Sequence, residues 1–310
     1  MNLPYELVVA LRYIRSRRRG PVSLITLITI AGVAVGVTAL TVVTSVWNGF
    51  EAEFLEKLLG ISSHAMVLRS GDVFREHEEV AEKLRQEPGI EFVSPFVFSE
   101  VIAQSAKGVA GVMFKGVNPE LARQTPLSRF VDASAFDELE KRRRRPGTTV
   151  DPDAPPGVLI GHELKQMLHA EVGDAITLVS PYEGGGGKPR TGTFQVVGVF
   201  HSGMFEFDSR MVFVELEEAQ RFFSLYRTVS GLEVWSSDPM SSRRLITQAI
   251  RNVDPNPLSY DVRDWAMMNR GLFGAVKSQK ILISLVLGFI ILVAAFNIIS
   301  TLILLILEKG

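Results

Sequence analysis

The stretch LVLGFIILVAAFNIISTLILLILEKG, Leu285 to Gly310, belongs to an uncharged run from Ile281 to Leu307, after which only Glu308, Lys309 and Gly310 follow. As a helix, about 27 residues extend about 40 Å at 1.5 Å per residue. About 20 apolar residues suffice for a hydrocarbon core about 30 Å thick, so the run is long enough to cross a bilayer with some tilt. A second uncharged run, GPVSLITLITIAGVAVGVTALTVVTSVWNGF from Gly20 to Phe50, stands behind Arg12, Arg15, Arg17, Arg18 and Arg19. A signal peptide is also basic and then apolar, but its apolar region is only about 7–15 residues and ends at a small-residue cleavage site. This run is about twice that long and ends in Trp47-Asn48-Gly49-Phe50, which makes it a retained anchor.

The two runs organise everything between them. Basic residues beside a first span hold its N-terminal side in the cytoplasm. Residues 51–280 then lie outside, and residues 308–310 return to the cytoplasm. Residues 21–50 and 281–307 are the expected spans. Ahead of them, residues 1–20 carry Leu7, Val8, Leu11 and Ile14 at helical spacing between arginines, the pattern of an amphipathic helix at the inner leaflet. The cluster Lys141 to Arg145 falls in the outer portion and reads as a solvated loop, since long loops translocate largely regardless of charge. With 33 basic against 34 acidic residues the net charge is −1. That balance offers no general support for binding nucleic acid. The chain has no cysteine, which removes disulfides and thiol chemistry.

The outer region alternates short strand and helix patterns, so the fold class is α+β. Strands are expected at Ala65–Arg69, Glu91–Phe98, Val101–Gln104 and Val109–Val117, with a helix at Arg75–Gln86. The stretch RRRRPGTTVDPDAPP, Arg142 to Pro156, is a loop by its proline and charge content. A second unit, expected as an insertion at about 157–226, then runs strand, helix, strand, glycine loop, strand, strand and helix. Leu232–Trp235 and Ser241–Val253, a strand and a helix, return to the style of the first unit.

Motifs for catalysis fail on inspection. Gly184 to Gly187 before Lys188 lacks the leading glycine of a phosphate loop, where Tyr182 stands, and has Pro189 where Ser or Thr is required. His162-Glu163-Leu164-Lys165-Gln166 has Gln166 where a zinc protease needs its second histidine. Phe200-His201-Ser202-Gly203 has Phe200 where a nucleophile elbow needs glycine. No catalytic residue, cofactor or metal site is expected. What remains is apolar. Gly32 and Gly36 form a small-xxx-small pair that lets another helix approach closely, and Asn297 is the strongly polar side chain of the second run, expected to face protein. Ala39, Val43, Val46, Trp47, Phe50 and Phe54 crowd the outer end of the first run, near Ile281 and Leu285 of the second. They fit either an aromatic belt at the membrane interface or a surface that receives a lipid-bearing substrate.

Five stretches, ALRYIRSR (Ala10 to Arg17), SVWNGFE (Ser45 to Glu51), GHELKQML before AEVGDAITLVSP, FQVVGVFHSGMFEFDSRMVFVELEEAQ, and VAAFNIISTLILLILEK (Val293 to Lys309), occur in this order. Together they resemble the LolC/LolE family, the membrane subunits of the lipoprotein-releasing ABC transporter, within the MacB/FtsX-like superfamily. The resemblance implies two transmembrane helices flanking a MacB-like periplasmic α+β domain, in a multi-pass protein of the bacterial inner membrane. It implies a second LolC/LolE-like subunit, as homo- or heterodimer, and a separate LolD-like ATPase dimer that hydrolyses the ATP. Lipoproteins would enter from membrane lipid between the spans, against Ala39 to Phe54, Ile281 and Leu285. They would leave to a LolA-like periplasmic carrier docked on a hairpin, the hook, whose position matches Pro181, Tyr182, Lys188, Pro189 and Arg190. This hook is short and glycine-rich. The family has four spans, with a cytoplasmic coupling helix after the second; Glu308-Lys309 resembles its lead-in, so the chain is expected to be a fragment or a truncated or split gene. Competing expectations are a MacB- or FtsX-like subunit for another cargo, and a membrane-anchored periplasmic scaffold.

Overall fold

A computed structural model of the chain describes residues 5, 12, 20–71, 74–140, 154–181, 189–256, 258–268 and 270–309. Most of the expected amphipathic segment, the basic cluster at 141–145, and Tyr182 and Lys188 lie outside the described residues.

Helix α1, Gly20–Ile61, takes up the whole first uncharged run and continues past it for a total of 42 residues. Its threonines do not break it. Thr38, Thr41 and Thr44 donate their hydroxyls to the carbonyls of Ala34, Val37 and Leu40 at 2.7–2.9 Å, so these three hydroxyls are satisfied on an apolar surface. Within α1 the segment Ile30–Phe50, and near the other end the segment Val276–Ser300, are long and apolar enough to cross a membrane by length and composition. These two helical segments form one unit and residues 56–268 another.

In the second unit, β1 (Ala65–Arg69), α2 (His77–Arg85), β2 (Ile90–Gln104) and β3 (Val109–Val117) come first. Then α3 (Pro119–Ala122) and α4 (Ala133–Glu140) lead to β4 (Gly157–Gly161) and α5 (His162–Leu168). The hairpin β5 (Ala175–Ser180) and β6 (Arg190–Phe200) follows, with α6 (Phe205–Arg210), β7 (Met211–Glu215) and α7 (Leu216–Phe223). Strand β8 (Gly231–Ser236), α8 (Ser242–Val253), β9 (Tyr260–Asp264) and α9 (Trp265–Met268) close the unit, and α10 (Arg270–Lys309) holds the second apolar run.

One half is an open antiparallel sheet in the order β2-β8-β1-β9, the split β-α-β-β-α-β arrangement of ferredoxin-like folds. Val80, Ala81 and Leu84 of α2 and Ile246, Ala249 and Ile250 of α8 recur at helical spacing. They pack on Ala65, Val67, Val93, Leu232, Val234 and Val262 of the sheet.

The other half is a closed ring. β2 pairs with β3, β3 with β7, β7 with β4, β4 with β6, β6 with β5, and β5 with β2 again. Closure removes the sheet edges. Inward residues of alternating strands, among them Val101, Phe114, Ile160, Leu178, Phe194 and Val212, fill the barrel together with Leu164 and Leu168 of α5. The segment 157–226 thus supplies four barrel strands, but the ring also takes in β3 and the second half of β2. The unit inserted into the open sheet therefore begins in the middle of β2, because Phe96 to Gln104 pair with β3 along its full length. Gly161 is required at one corner: a Cβ there would lie 1.9 Å from the Asp208 carbonyl oxygen.

A buried ion pair joins the halves. Lys115 on β3 stands opposite Phe98, and Glu233 on β8 stands opposite Ser94. Their side chains meet at 2.7 Å, with only 14% and 5% of each exposed.

Candidate functional site

The apolar candidates sit on α1 and α10. A Cβ on Gly36 would touch Ile290 at 3.7 Å, an ordinary van der Waals contact, whereas one on Gly32 would meet nothing within 4 Å. Gly36 therefore faces the second apolar helix and Gly32 is open for another neighbour. A crevice of about 590 Å³ lies beside this contact, lined by Ile30, Val33, Ala34, Val37, Thr38 and Ile298. Asn297 precedes Ile298 in α10; its side chain is outside the described set, as is that of Phe54.

Ile298 shares that crevice with residues on both sides of Gly36. Val46, Phe50, Ile281 and Leu285 are each more than half exposed, Val43 and Ala39 are also open, and Trp47 is half-buried. The Trp47 and Phe50 rings lie 5.8 Å apart. The covered Trp47 Nε1–H has no hydrogen-bond acceptor. This is an apolar surface with few polar handles, suited to aliphatic chains.

The hairpin candidates are at the end of β5 and β6. Ser180 and Arg190 form the last described rung of that pair. Pro181 and Pro189 are exposed at the root of the tip. Arg190 is anchored: its guanidinium donates to the Phe222 carbonyl at 3.2 Å and to Ser224 Oγ. The stem of the hairpin is therefore fixed against α7.

The motifs set aside in the sequence have structural roles. Gln166 Nε2 lies 2.9 Å from His162 Nε2, across one turn of α5. Asp208, 1% exposed, accepts from Ser202 N–H at 2.9 Å and Ser202 Oγ–H at 2.6 Å and lies 3.1 Å from His201 Nδ1. A nucleophile triad needs the histidine between serine and carboxylate. Here the carboxylate is in the middle, holding the 201–204 turn. Among the described residues no group of three or more His, Cys, Asp or Glu could hold a metal ion. A cavity of about 740 Å³ lined in part by His77, Glu78, Glu215, Arg221 and Arg227 mixes both charge signs.

Sequence reasoning missed a polar cluster where the chain enters and leaves the second unit. Ala65 and Asp264 are direct partners on β1 and β9, and the residues just outside them, His64 and Trp265, are bonded to each other. The His64 carbonyl accepts from Trp265 N–H at 3.1 Å and lies 3.2 Å from Ser242 Oγ. His64 Nδ1 accepts from Ser236 N–H at 2.9 Å, and Trp265 Nε1–H donates to the Pro239 carbonyl at 2.9 Å. Burial pushes the His64 pKa below its ordinary value of 6.5, against weaker opposing effects of Glu91 and Asp238.

Comparison with known proteins agrees with this architecture. Residues 26–263 match the family model of the MacB-like periplasmic core domain. The lipoprotein-releasing system transmembrane protein LolC of Neisseria meningitidis serogroup B is 31% identical over 98% of this chain and 71% of its own length. The corresponding protein LolE of Haemophilus influenzae is 25% identical over 100% of this chain and 72% of its own length. The crystal structure of the periplasmic region of MacB from Actinobacillus actinomycetemcomitans superposes with a TM-score of 0.42 at 13% identity, covering 71% of this chain and 97% of that one. Two long apolar helices flanking a MacB-like α+β core, with identity to LolC running through all three parts, place this chain in the LolC/LolE family of lipoprotein-releasing transmembrane proteins.

Proposed function

We propose that this chain is a membrane subunit of an ABC transporter that takes lipoproteins out of the bacterial inner membrane and passes them to a periplasmic carrier. The observation that carries the reading is the 31% identity to LolC over 98% of the chain, apolar helices included. In this reading residues 56–268 are periplasmic, and ATP is hydrolysed by a separate LolD-like ATPase dimer. A second LolC/LolE-like subunit completes the membrane part. A LolA-like carrier docks at the β5–β6 hairpin, around Pro181, Tyr182, Lys188, Pro189 and Arg190.

The acyl chains of the cargo are received at the outer end of α1, by Ala39, Val43, Val46, Trp47, Phe50 and Phe54, with Ile281 and Leu285. Each CH₂ buried contributes about 0.8 kcal/mol, so an apolar wall holds acyl chains without a specific polar contact. Such a wall reads the lipid and tolerates different attached proteins. A carboxylate placed in it would be desolvated without a partner.

The test is photo-crosslinking in the assembled, ATP-hydrolysing complex. A photoreactive residue at position 47 or 50 should give adducts with lipoprotein, and Val43→Asp or Phe50→Asp should abolish them in chains that still insert. An aromatic belt facing bulk lipid would instead yield only phospholipid adducts at both positions, and that result would overturn the assignment.

A further inference from the structure

We propose that the cleft beside the 224–227 loop binds an extended peptide segment that carries one carboxylate, with Arg227 as the cation that meets it and Tyr226 as an aromatic platform. The proposal stands on the core domain alone and does not depend on the transporter reading.

The cleft is the cavity of about 740 Å³ described above, a size within the roughly 300–1,000 Å³ of ligand sites. It lies where the open sheet meets the barrel. His77 and Glu78 begin α2 on the sheet side, Asn118 follows β3 of the barrel, and α7 runs on into Ser224, Tyr226 and Arg227 beside them.

The loop is held in an unfavourable backbone shape. Ser224, Tyr226 and Arg227 have φ of 53°, 40° and 65°, in the left-handed region that side chains with a Cβ avoid. Ser224 ends α7, where such a residue is common. No helix end accounts for Tyr226 and Arg227. Conformations of this kind persist only where surrounding contacts enforce them, and they gather at ligand clamps. The contacts are present. Leu225 N–H donates to the Gln220 carbonyl and Thr228 N–H to the Leu225 carbonyl, both at 2.8 Å, and Gln220 Nε2 donates to the Thr228 carbonyl at 3.0 Å. His77, 6% exposed, donates from Nε2 to the Arg227 carbonyl at 3.0 Å.

The pinned backbone turns two side chains outward. Tyr226 is 90% exposed, and Arg227 is exposed with no partner for its guanidinium among the described residues. Arg221, by contrast, is held by Glu218 at 2.7 Å and Glu217 at 3.7 Å. Arg227 is therefore the cation the cleft offers, and Tyr and Arg are the residue types that dominate binding hot spots. The open rim decides the class of ligand. A small molecule needs about 70–90% of its surface covered, whereas a chain segment gathers its contacts along its length. Glu78 supplies an acceptor for peptide N–H groups. The Asn118 Oδ1 is committed to the N–H groups of Glu120 and Leu121, which leaves its amide N–H groups to donate to peptide carbonyls. Glu78 and Glu217 repel a strongly acidic chain, so a single carboxylate is the matching charge.

The experiment uses the full chain in lipid nanodiscs and two blocked pentapeptides, acetyl-Gly-Ser-Asp-Ser-Gly amide and its counterpart with Asn in place of Asp. Saturation-transfer nuclear magnetic resonance reads binding. The Asp peptide should bind saturably and the Asn peptide about tenfold more weakly, the worth of a charge-assisted hydrogen bond. Arg227→Gln should weaken the Asp peptide by the same factor and leave the Asn peptide unchanged, which also shows that the variant is folded. Tyr226→Asn keeps a residue that tolerates the left-handed backbone; it should weaken both peptides without lowering Tm.

Three results would each overturn the proposal. One is no saturable binding of either peptide. Another is equal binding of both peptides with no effect of Arg227→Gln. The third is displacement of the Asp peptide by acetate at the peptide's own concentration, which would make the cleft a site for small anions only.

Discussion

Removing one partner of the Lys115–Glu233 pair should destabilise the core domain more than any surface charge change. The two side chains meet at 2.7 Å and are 14% and 5% exposed. An exposed pair is worth about 0.2–1 kcal/mol. A pair this well covered belongs to the other regime, in which deleting one charge strands the other in a poorly solvated site and costs about 3–5 kcal/mol. Lys115→Met keeps much of the aliphatic stem, removes the ammonium that lies 5.8 Å from the Phe213 ring centroid, and leaves the Glu233 carboxylate without its cation. For a domain of about 200 residues each kcal/mol moves Tm by about 2–4 °C, so the expected loss is about 6–20 °C. The paired replacement Lys115→Met with Glu233→Leu should recover most of it, because two apolar groups of similar size need no solvation. Thermal unfolding of the full chain in detergent, followed by near-ultraviolet circular dichroism of Trp235 and Trp265, gives all four corners of the cycle. If both single variants melt within about 2 °C of the parent, the pair is screened like a surface pair and the argument from burial is wrong.

Three further outcomes are expected. Gly161→Ala should cost about 1–3 kcal/mol or more, because the added methyl would sit 1.9 Å from the Asp208 carbonyl oxygen; a melt unchanged from the parent would show that the corner yields freely. Stability should fall as pH drops through about 6.5, since the His64 pKa is lowered in the folded state by burial: its contribution is fully present above the unfolded pKa and is lost as the unfolded chain takes up the proton. Glu91 and Asp238, which favour the charged ring, temper this loss, and His64→Gln should flatten that part of the pH profile of Tm. Single cysteines at exposed Ser134 and Ser237 should react with an impermeant thiol reagent in cells whose outer membrane is permeabilised and inner membrane intact; labelling only after lysis would reverse the proposed orientation.

The parts legible in the sequence are those set by local pattern. Absence of charge over Gly20–Phe50 and Ile281–Leu307 announced the two long helices, and helical spacing announced α2, α5, α7 and α8. Strand β2 was legible only in pieces. Ser99 and Glu100 interrupt its apolar run, so Glu91–Phe98 and Val101–Gln104 read as two strands, yet the backbone continues because β3 pairs through both residues. Residues 118–140 carried a signal that went unused: Asn118 before Pro119 is an N-cap followed by proline in the first turn, and Asn118 Oδ1 accepts from Glu120 N–H at 3.0 Å. The closure of the barrel was invisible, because a strand's own residues do not name its partner and β3 pairs in parallel with β7, distant in sequence. The same holds for the polar cluster at the ends of β1 and β9. His64 and Trp265 are ordinary residues until tertiary pairing of β1 with β9 brings them together, and nothing in either neighbourhood marks them.

Strand β2 also explains why the open sheet and the barrel should move as one piece. Two halves of a domain joined by loops would swivel. Here the connection is a single strand of 15 residues, whose first part is bonded to β8 and whose second part to β3. The change of partner falls at Phe96, which is opposite Gly231 in one pairing and Val117 in the other. Pro95, with no N–H to donate, sits just before the exchange, where a ladder bond is most easily spared. Gly231 is needed there as well: a Cβ would lie 2.7 Å from Leu68 Cδ2, 2.8 Å from the Val67 carbonyl oxygen and 3.0 Å from Phe96 Cε1. Bending at this point would press Gly231 into β1 and separate Lys115 from Glu233, which bridge the halves from opposite Phe98 and Ser94. The backbone crossing resists twist and the buried ion pair resists opening, so the open sheet and the barrel turn together. Breaking the ion pair with Lys115→Met should therefore broaden distances between labels on the two halves, at exposed Ser134 and Ser237, while the paired apolar replacement restores a narrow distribution. Equal widths in all three chains would show that β2 alone carries the rigidity.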